Sequence, residues 1–161
     1  MRSKMANAGM RREGDLKPVI SQLSGMGVRL QMEVQQANMR LAQEVVARVK
    51  AGIRNQSYGH AQLNQKYAAW KAKKGYSTKV LIASGRYLES IKVVRDGDKW
   101  AAVVDPQATT KSGVAMDQLG IWLEYGTRNM PARPHWRVEQ EWARQQHPFY
   151  MRRALRSAVG R

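Results

Sequence analysis

Apolar residues recur every three or four positions through Leu30, Val34, Ala37, Leu41, Val45, Val49 and Ile53, and this period predicts an amphipathic helix over 30–53. Glu33, Arg40, Glu44, Arg48 and Lys50 fall on its other faces. Arg40–Glu44 and Glu44–Arg48 are i,i+4 ion pairs, each contributing about 0.3 kcal/mol. Gly52 weakens the end of the helix, and Asn55-Gln56-Ser57-Tyr58-Gly59 reads as a loop. Leu63, Tyr67 and Trp70 at i, i+4, i+7 predict a shorter helix over 61–73. Lys71-Ala72-Lys73-Lys74-Gly75 closes it, with bases at the C-terminal dipole and glycine at a C′ position. These lysines read as a solvated helix end, with a basic DNA-facing turn as the alternative.

After an apolar Val80-Leu81-Ile82 and Ser84-Gly85, the period changes to two. Glu89–Arg95 and Lys99–Asp105 flank Asp96-Gly97-Asp98, which predicts a β-hairpin. Pairing across a two-residue turn gathers Ile91, Val93, Trp100, Ala102 and Val104 on one face. Lys92, Val94, Lys99, Ala101 and Val103 fall on the other. The sheet is therefore expected to pack one face on helices and leave the second partly solvated or free for assembly. The polar stretch from Pro106 to Ala115 has no period and reads as a mobile loop. Leu119, Trp122 and Leu123 predict a helix over 116–125 facing the core, stopped by Gly126. Beyond Pro134, His135–Val138 is a short strand or a helix start, and Glu139–Gln146 is helical. Pro148 should end or kink that helix. Met151, Leu155 and Val159 predict a last helix over 149–159.

Upstream of Leu30, residues 1–15 read as a flexible basic arm, and 16–29 as a short helix or turn followed by a loop, given Pro18, Gly25 and Gly27. The expected organisation is an arm over 1–29 and one α+β domain over 30–161, with a long N-terminal helix and shorter helices packed on a small antiparallel sheet.

Composition narrows the possible functions. A chain of 161 residues suits one domain, and 43% hydrophobic content argues against wholesale disorder. No run of 18 apolar residues and no signal-peptide core occurs, so neither membrane spanning nor signal-directed secretion is expected. The absence of Cys excludes disulfides and thiolate metal sites, and fits a reducing cytoplasm. Five Trp and six Tyr against one Phe suit interfaces as well as cores. The net charge of +16, from 28 basic and 12 acidic residues, implies attraction to polyanions, either DNA or acidic protein surfaces. Every base from residue 128 onward is Arg, the side chain suited to bidentate contacts.

Catalytic chemistry is hard to assemble from these residues. His60, His135 and His147 lack metal-ligand spacing, and Asp96 and Asp98 are explained by the hairpin turn. Ser84-Gly85 lacks the second glycine of a nucleophile elbow, and Gly25-Met26-Gly27 precedes no Lys-Ser/Thr. Glu124 with His135 makes a nuclease-like pair on paper. Spacing does not favour that over a salt bridge and a packed imidazole. The expectation is no enzyme, no cofactor and no metal.

Three segments in order carry a resemblance to a known family. Lys73-Lys74-Gly75, Leu81-Ile82 and Ser84-Gly85-Arg86-Tyr87-Leu88-Glu89-Ser90-Ile91 resemble a basic turn, an apolar run and "(Ser/Thr)-Gly-x-Leu-x-x-Ser-Ile", one residue longer here. Leu123-Glu124-Tyr125-Gly126-Thr127, followed by Arg128, is similar to an "Glu-(Phe/Tyr)-Gly-Thr" helix exit. Met130-Pro131-Ala132-Arg133-Pro134, and again His147-Pro148-Phe149-Tyr150-Met151-Arg152-Arg153-Ala154-Leu155, resemble "Pro-x-Arg-Pro-Phe-(Met/Leu)-x-x-Ala-Leu". In the family these two steps adjoin. Here residues 135–147 separate them, suggesting an inserted strand or helical turn.

This is the pattern of the phage tail-completion, or head–tail joining, family, and it spans roughly residues 30–158. The resemblance implies an α+β subunit that assembles into a ring, commonly a hexamer, in the neck of a tailed bacteriophage virion. Implied partners are further copies of itself, a head-completion or connector protein, a tail terminator or tail tube protein, and DNA passing transiently through the lumen. Assembly takes place in the host cytoplasm. The implied interface residues are Glu124, Tyr125, Gly126, Thr127, Arg128, Pro131, Arg133, Pro134, Phe149, Arg152 and Arg153. Strong attraction would hinder DNA passage, so many of the bases are expected to meet acidic neighbours instead. A tail terminator ring and a basic nucleic-acid-binding module, the latter with Trp70, Trp136 and Trp142 near bases, are the alternatives, and a nuclease a more distant one.

Overall fold

A computed structural model describes residues 17–160, with side chains from Ile20 onward, so the arm expected over 1–15 lies outside the described residues. The chain forms α1 (Lys17–Asn55), α2 (Gln65–Lys73), α3 (Arg86–Ser90), β1 (Ile91–Asp96), β2 (Lys99–Val104), α4 (Met116–Tyr125) and α5 (Trp136–Val159). This is an α+β architecture in which helices pack on a two-stranded antiparallel sheet.

The long helix begins 13 positions earlier than the stripe from Leu30 predicts, and no loop occupies 25–29. Pro18 falls in the first turn, where a missing N–H costs nothing. A Cβ at Gly27 would meet nothing, and one at Gly25 only the Arg29 guanidinium at 3.8 Å. These glycines lower helix propensity by about 1 kcal/mol each without breaking a helix already nucleated downstream. Its 39 residues span about 58 Å.

Among the described residues, only part of that length is covered. Arg48 pairs with Glu139, and Glu44 accepts a hydrogen bond from the Tyr150 hydroxyl, so α5 runs antiparallel to α1. From Tyr150, the nine residues to Val159 carry α5 to the level of about residue 35. The stripe follows suit: Ala37, Leu41, Val45, Val49 and Ile53 are buried, Leu30 and Val34 half-buried. Further out, Ile20, Leu23, Val28 and Met32 are 59–64% exposed.

Pro148 neither ends the last helix nor divides it. The helices expected over 139–146 and 149–159 are one helix of 24 residues, and the start at Trp136 resolves the choice between strand and helix. Pro148 and Arg144 are both exposed, so water can satisfy the carbonyl that lacks its donor. The segment separating the two proline motifs is thus several helical turns.

The hairpin pairs Ile91 with Val104, Val93 with Ala102 and Asp96 with Lys99, the register read from the sequence. Gly97 supplies the positive φ of 57° at the first central position of the turn. Glu89 and Ser90, expected in the strand, instead complete α3, where Ser90 Oγ donates to the Tyr87 carbonyl at 2.7 Å. Ile91, Ala102 and Val104 join Val45, Val49, Ile53, Tyr87, Leu88, Met116 and Leu123 in the core.

Other expectations need adjustment. The loop over 106–115 is not structureless: Thr109 bridges to Ala115, Thr110 N donates to Val114 O at 2.7 Å and Met116 N to Ala108 O at 2.8 Å. The second helix starts at Gln65, because the Asn64 side chain accepts from Lys66 N at 2.9 Å and caps it there. Its stripe does not face the core, since Tyr67 and Trp70 are about half exposed. In α4, Leu123 is buried as expected, whereas Trp122 is 38% exposed. No described helix is long and apolar enough to cross a membrane.

Candidate functional site

The glycine–proline segment after α4 folds into an elbow that closes on itself. Gly126 has φ 80° and ψ 177°, a conformation that is essentially glycine's alone. A Cβ there would lie 2.7 Å from Ala132 N and 2.8 Å from Met130 O. Thr127 and Met130 exchange backbone hydrogen bonds across a tight turn, and Arg133 N donates to Leu123 O at 2.7 Å. The chain is thereby brought back alongside the end of α4.

Glu124 shows why it must return. Its buried carboxylate accepts from His135 N (2.8 Å), Trp136 N (3.0 Å), Arg137 N (3.1 Å) and Arg137 Nε (3.1 Å). A side chain of one helix thus caps the N-terminus of the next, meeting both its free N–H groups and its dipole. Burial alone would push this carboxyl upward; the three backbone N–H donors outweigh it and hold it below the usual range. The cation paired with Glu124 is Arg137.

His135, fully buried, is locked in the same unit. Its Nδ1 lies 2.8 Å from the Arg133 carbonyl, which can only accept, so Nδ1 carries the proton. Nε2 then accepts from the Tyr87 hydroxyl at 2.7 Å, while that oxygen accepts from Trp136 Nε1 at 3.1 Å. Burial, above all, pushes the imidazole below its ordinary value and keeps it neutral. Glu124 and His135 therefore hold each other's surroundings in place, and their polar atoms are taken up by the protein. This is the salt bridge and packed imidazole of the plainer sequence reading, except that the histidine is uncharged.

The remaining motif residues divide by exposure. Tyr125, Thr127, Arg128 and Pro131 are exposed around the rim of the elbow, with Pro134 half-buried. Phe149, Arg152 and Arg153 are exposed on α5. Arg152 lies over the Phe149 ring at 5.0 Å, and Arg137 over Tyr125 at 5.3 Å. The structure does not bring the two proline motifs together: from Pro134 to Pro148 is about 20 Å of mostly helical chain.

Beside the elbow lies a groove that sequence reading missed. Its volume is about 1000 Å³, and α2, the 81–86 segment and the 129–133 turn form its walls. Trp70, Leu81, Ile82 and Met130 give it an apolar lining, and Lys71, Arg86, Lys111 and Arg133 its charge; no Asp or Glu among the described residues lines it. Lys71, read from the sequence as part of a solvated helix end, is 2% exposed. Its Nζ donates to Ile82 O at 2.5 Å and Lys79 O at 2.9 Å. Burial first, and the neighbouring Arg133 second, push its amine below the ordinary lysine value. Arg133 is 7% exposed, and its Nε has no hydrogen-bond partner. Among the described residues, the other such buried side-chain atom is His60 Nε2. No spacing rule marks Lys71 and Arg133 as neighbours; the fold puts them together.

Of the tryptophans near bases, Trp70 is about half exposed and stacks on Tyr67 with ring centroids 5.6 Å apart. Trp136 is tied to Tyr87, and Trp142 lies under the Arg48 guanidinium at 4.1 Å. Among the described residues, no group of three His, Asp or Glu is arranged to hold a metal ion. Comparison with family models, with curated proteins and with solved structures found no match.

Proposed function

We propose that this chain is a structural subunit of a tailed-bacteriophage neck, a tail-completion or head–tail joining protein forming a ring between capsid connector and tail through which DNA passes. The observation that carries the reading is the uncovered half of α1. Among the described residues nothing covers Ile20, Leu23, Val28 and Met32, and a neighbouring subunit would bury them. Phe149, Leu155 and Val159, 50–60% exposed on α5, provide a second and different apolar surface. Two unlike surfaces on one subunit are what a head-to-tail contact needs, and such contacts form a ring when the rotation between neighbours closes. The order of the motifs that resemble the tail-completion family supports a position for that ring in the phage neck. The test is twofold. Purified protein, alone or with its connector partner, should form a closed ring by native mass spectrometry and electron microscopy. Particles lacking it should accumulate unjoined heads and tails. Joined particles without it would sink the reading, and labelling at the tail side of the junction alone would favour a tail terminator instead.

A second reading, a nucleic-acid-binding module, is favoured by the exposed Tyr67–Trp70 stack beside Lys73 and Lys74. It requires submicromolar DNA affinity at physiological salt with a steep salt slope, measured by filter binding.

A further inference from the structure

The groove between α2 and the elbow combines features that together specify a ligand chemistry. It holds two deeply placed cations, Lys71 and Arg133, in a lining of mixed character whose apolar part includes Trp70, Leu81, Ile82 and Met130. Lys71 has two of its three N–H bonds committed to backbone carbonyls, leaving one. Arg133 is over nine-tenths buried with its Nε unpartnered. A buried donor without an acceptor carries an unrecovered desolvation cost, larger when the group is charged, and a ligand that brings the acceptor recovers it. Arg86 and Lys111 add positive charge, and among the described residues no lining carboxylate neutralises any of the four.

The geometry points to a docking site for a peptide segment of a partner protein that sets a carboxylate beside a large apolar side chain. The carboxylate binds at Arg133 and Lys71, and the apolar side chain lies against Trp70, Leu81 and Met130. A guanidinium matches one carboxylate with two parallel bonds, and the aliphatic wall of Leu81, Ile82 and Met130 suits a Leu or Phe side chain. A nucleic-acid strand fits less well, because it presents a charge at every nucleotide and needs a track of cations along the surface. Here the innermost charges are concentrated at one place. Nothing in this recognition requires a ring, so it stands or falls separately from the neck reading.

The experiment is an NMR titration of the full-length ¹⁵N-labelled protein with three probes. These are the capped tetrapeptide Gly-Asp-Phe-Leu, its Gly-Asn-Phe-Leu counterpart, and hexathymidylate. The acidic peptide should shift the amides of Ile82, Met130 and Arg133 and saturate, while the Asn peptide binds at least about tenfold more weakly. Arg133→Gln should remove the preference between the two peptides. Arg86→Gln with Lys111→Gln, both at exposed positions, should weaken acidic-peptide binding about threefold and reduce its salt dependence, which keeps the test open should the Arg133 variant fail to fold. Equal response to both peptides overturns the assignment. So does an absence of shifts in the groove up to about 5 mM peptide, or a tighter response of the same amides to hexathymidylate.

Discussion

Glu124 and Arg133 stand nine positions apart in one elbow, and both are buried, at 4% and 7% exposure. The carboxylate accepts four hydrogen bonds from the start of α5, while the guanidinium leaves its Nε without any. One side of the elbow is complete within the chain; the other is not. A buried charge is tolerated when the fold provides its partners, and Glu124 meets that condition through helix-terminal N–H groups whose own need is the same. Arg133 and Lys71 share a groove without a carboxylate. The first arrangement holds α4 to α5, and the second keeps binding capacity in reserve.

The strongest way to break this contrast is at the closed side. Glu124→Ala removes the carboxylate from three backbone donors and should cost about 3–5 kcal/mol, read as the shift of a urea unfolding midpoint. Gly126→Ala forces a β-carbon against Ala132 N and Met130 O and should cost about 2–4 kcal/mol in the same measurement. Lys71→Met is intermediate. It forfeits hydrogen bonds to Lys79 O and Ile82 O but removes a buried charge, for a net loss of about 1–2 kcal/mol.

Acidity gives a different probe of the same side. The folded imidazole of His135 titrates below its unfolded value of about 6.5. The unfolded chain therefore binds more protons in the interval between the two values. Stability from this group is complete above about pH 6.5 and is lost as pH falls toward the folded pKa. Glu124, whose carboxyl is also held low, adds a second loss at lower pH. His135→Gln should flatten the first part of the curve of unfolding midpoint against pH. A curve of unchanged slope would mean that the imidazole is not held neutral.

The open side should respond least. Arg133→Met loses no side-chain hydrogen bond from Nε and relieves a buried charge, so its midpoint should stay within about 1 kcal/mol of the parent or rise. A large loss would show that the guanidinium supports the fold and would erase the contrast with Glu124. Exposed Arg128→Ala should change stability by less than about 0.5 kcal/mol, which leaves any effect on ring assembly easy to read.

Elements with a single strong period were legible in the chain: the stripe of α1 from Leu30, the hairpin with its register about Gly97, and α4 with its glycine stop. Each is fixed by side-chain spacing and local backbone preference, which act over a few residues. Local rules failed where the rest of a helix outweighed a single unfavourable residue. Gly25 and Gly27 were read as a loop, yet the helix continues through them. Pro148 was read as a break, yet it is accommodated at an exposed position. The motif residues about the elbow were marked by their sequence, but as one interface; the fold divides them into supports such as the buried Glu124 and the half-buried Gly126, and exposed rim residues such as Tyr125 and Arg128.

The sequence by itself determined the α+β class, the pairing of the hairpin and the bend at Gly126, because helical period, strand alternation and the missing Cβ are properties of short stretches. Tertiary structure alone decided that Glu124 caps α5, that His135 is neutral, and that Lys71 and Arg133 meet in one groove. Those outcomes depend on distance through space, on burial and on the supply of hydrogen-bonding partners, quantities that residue order does not carry.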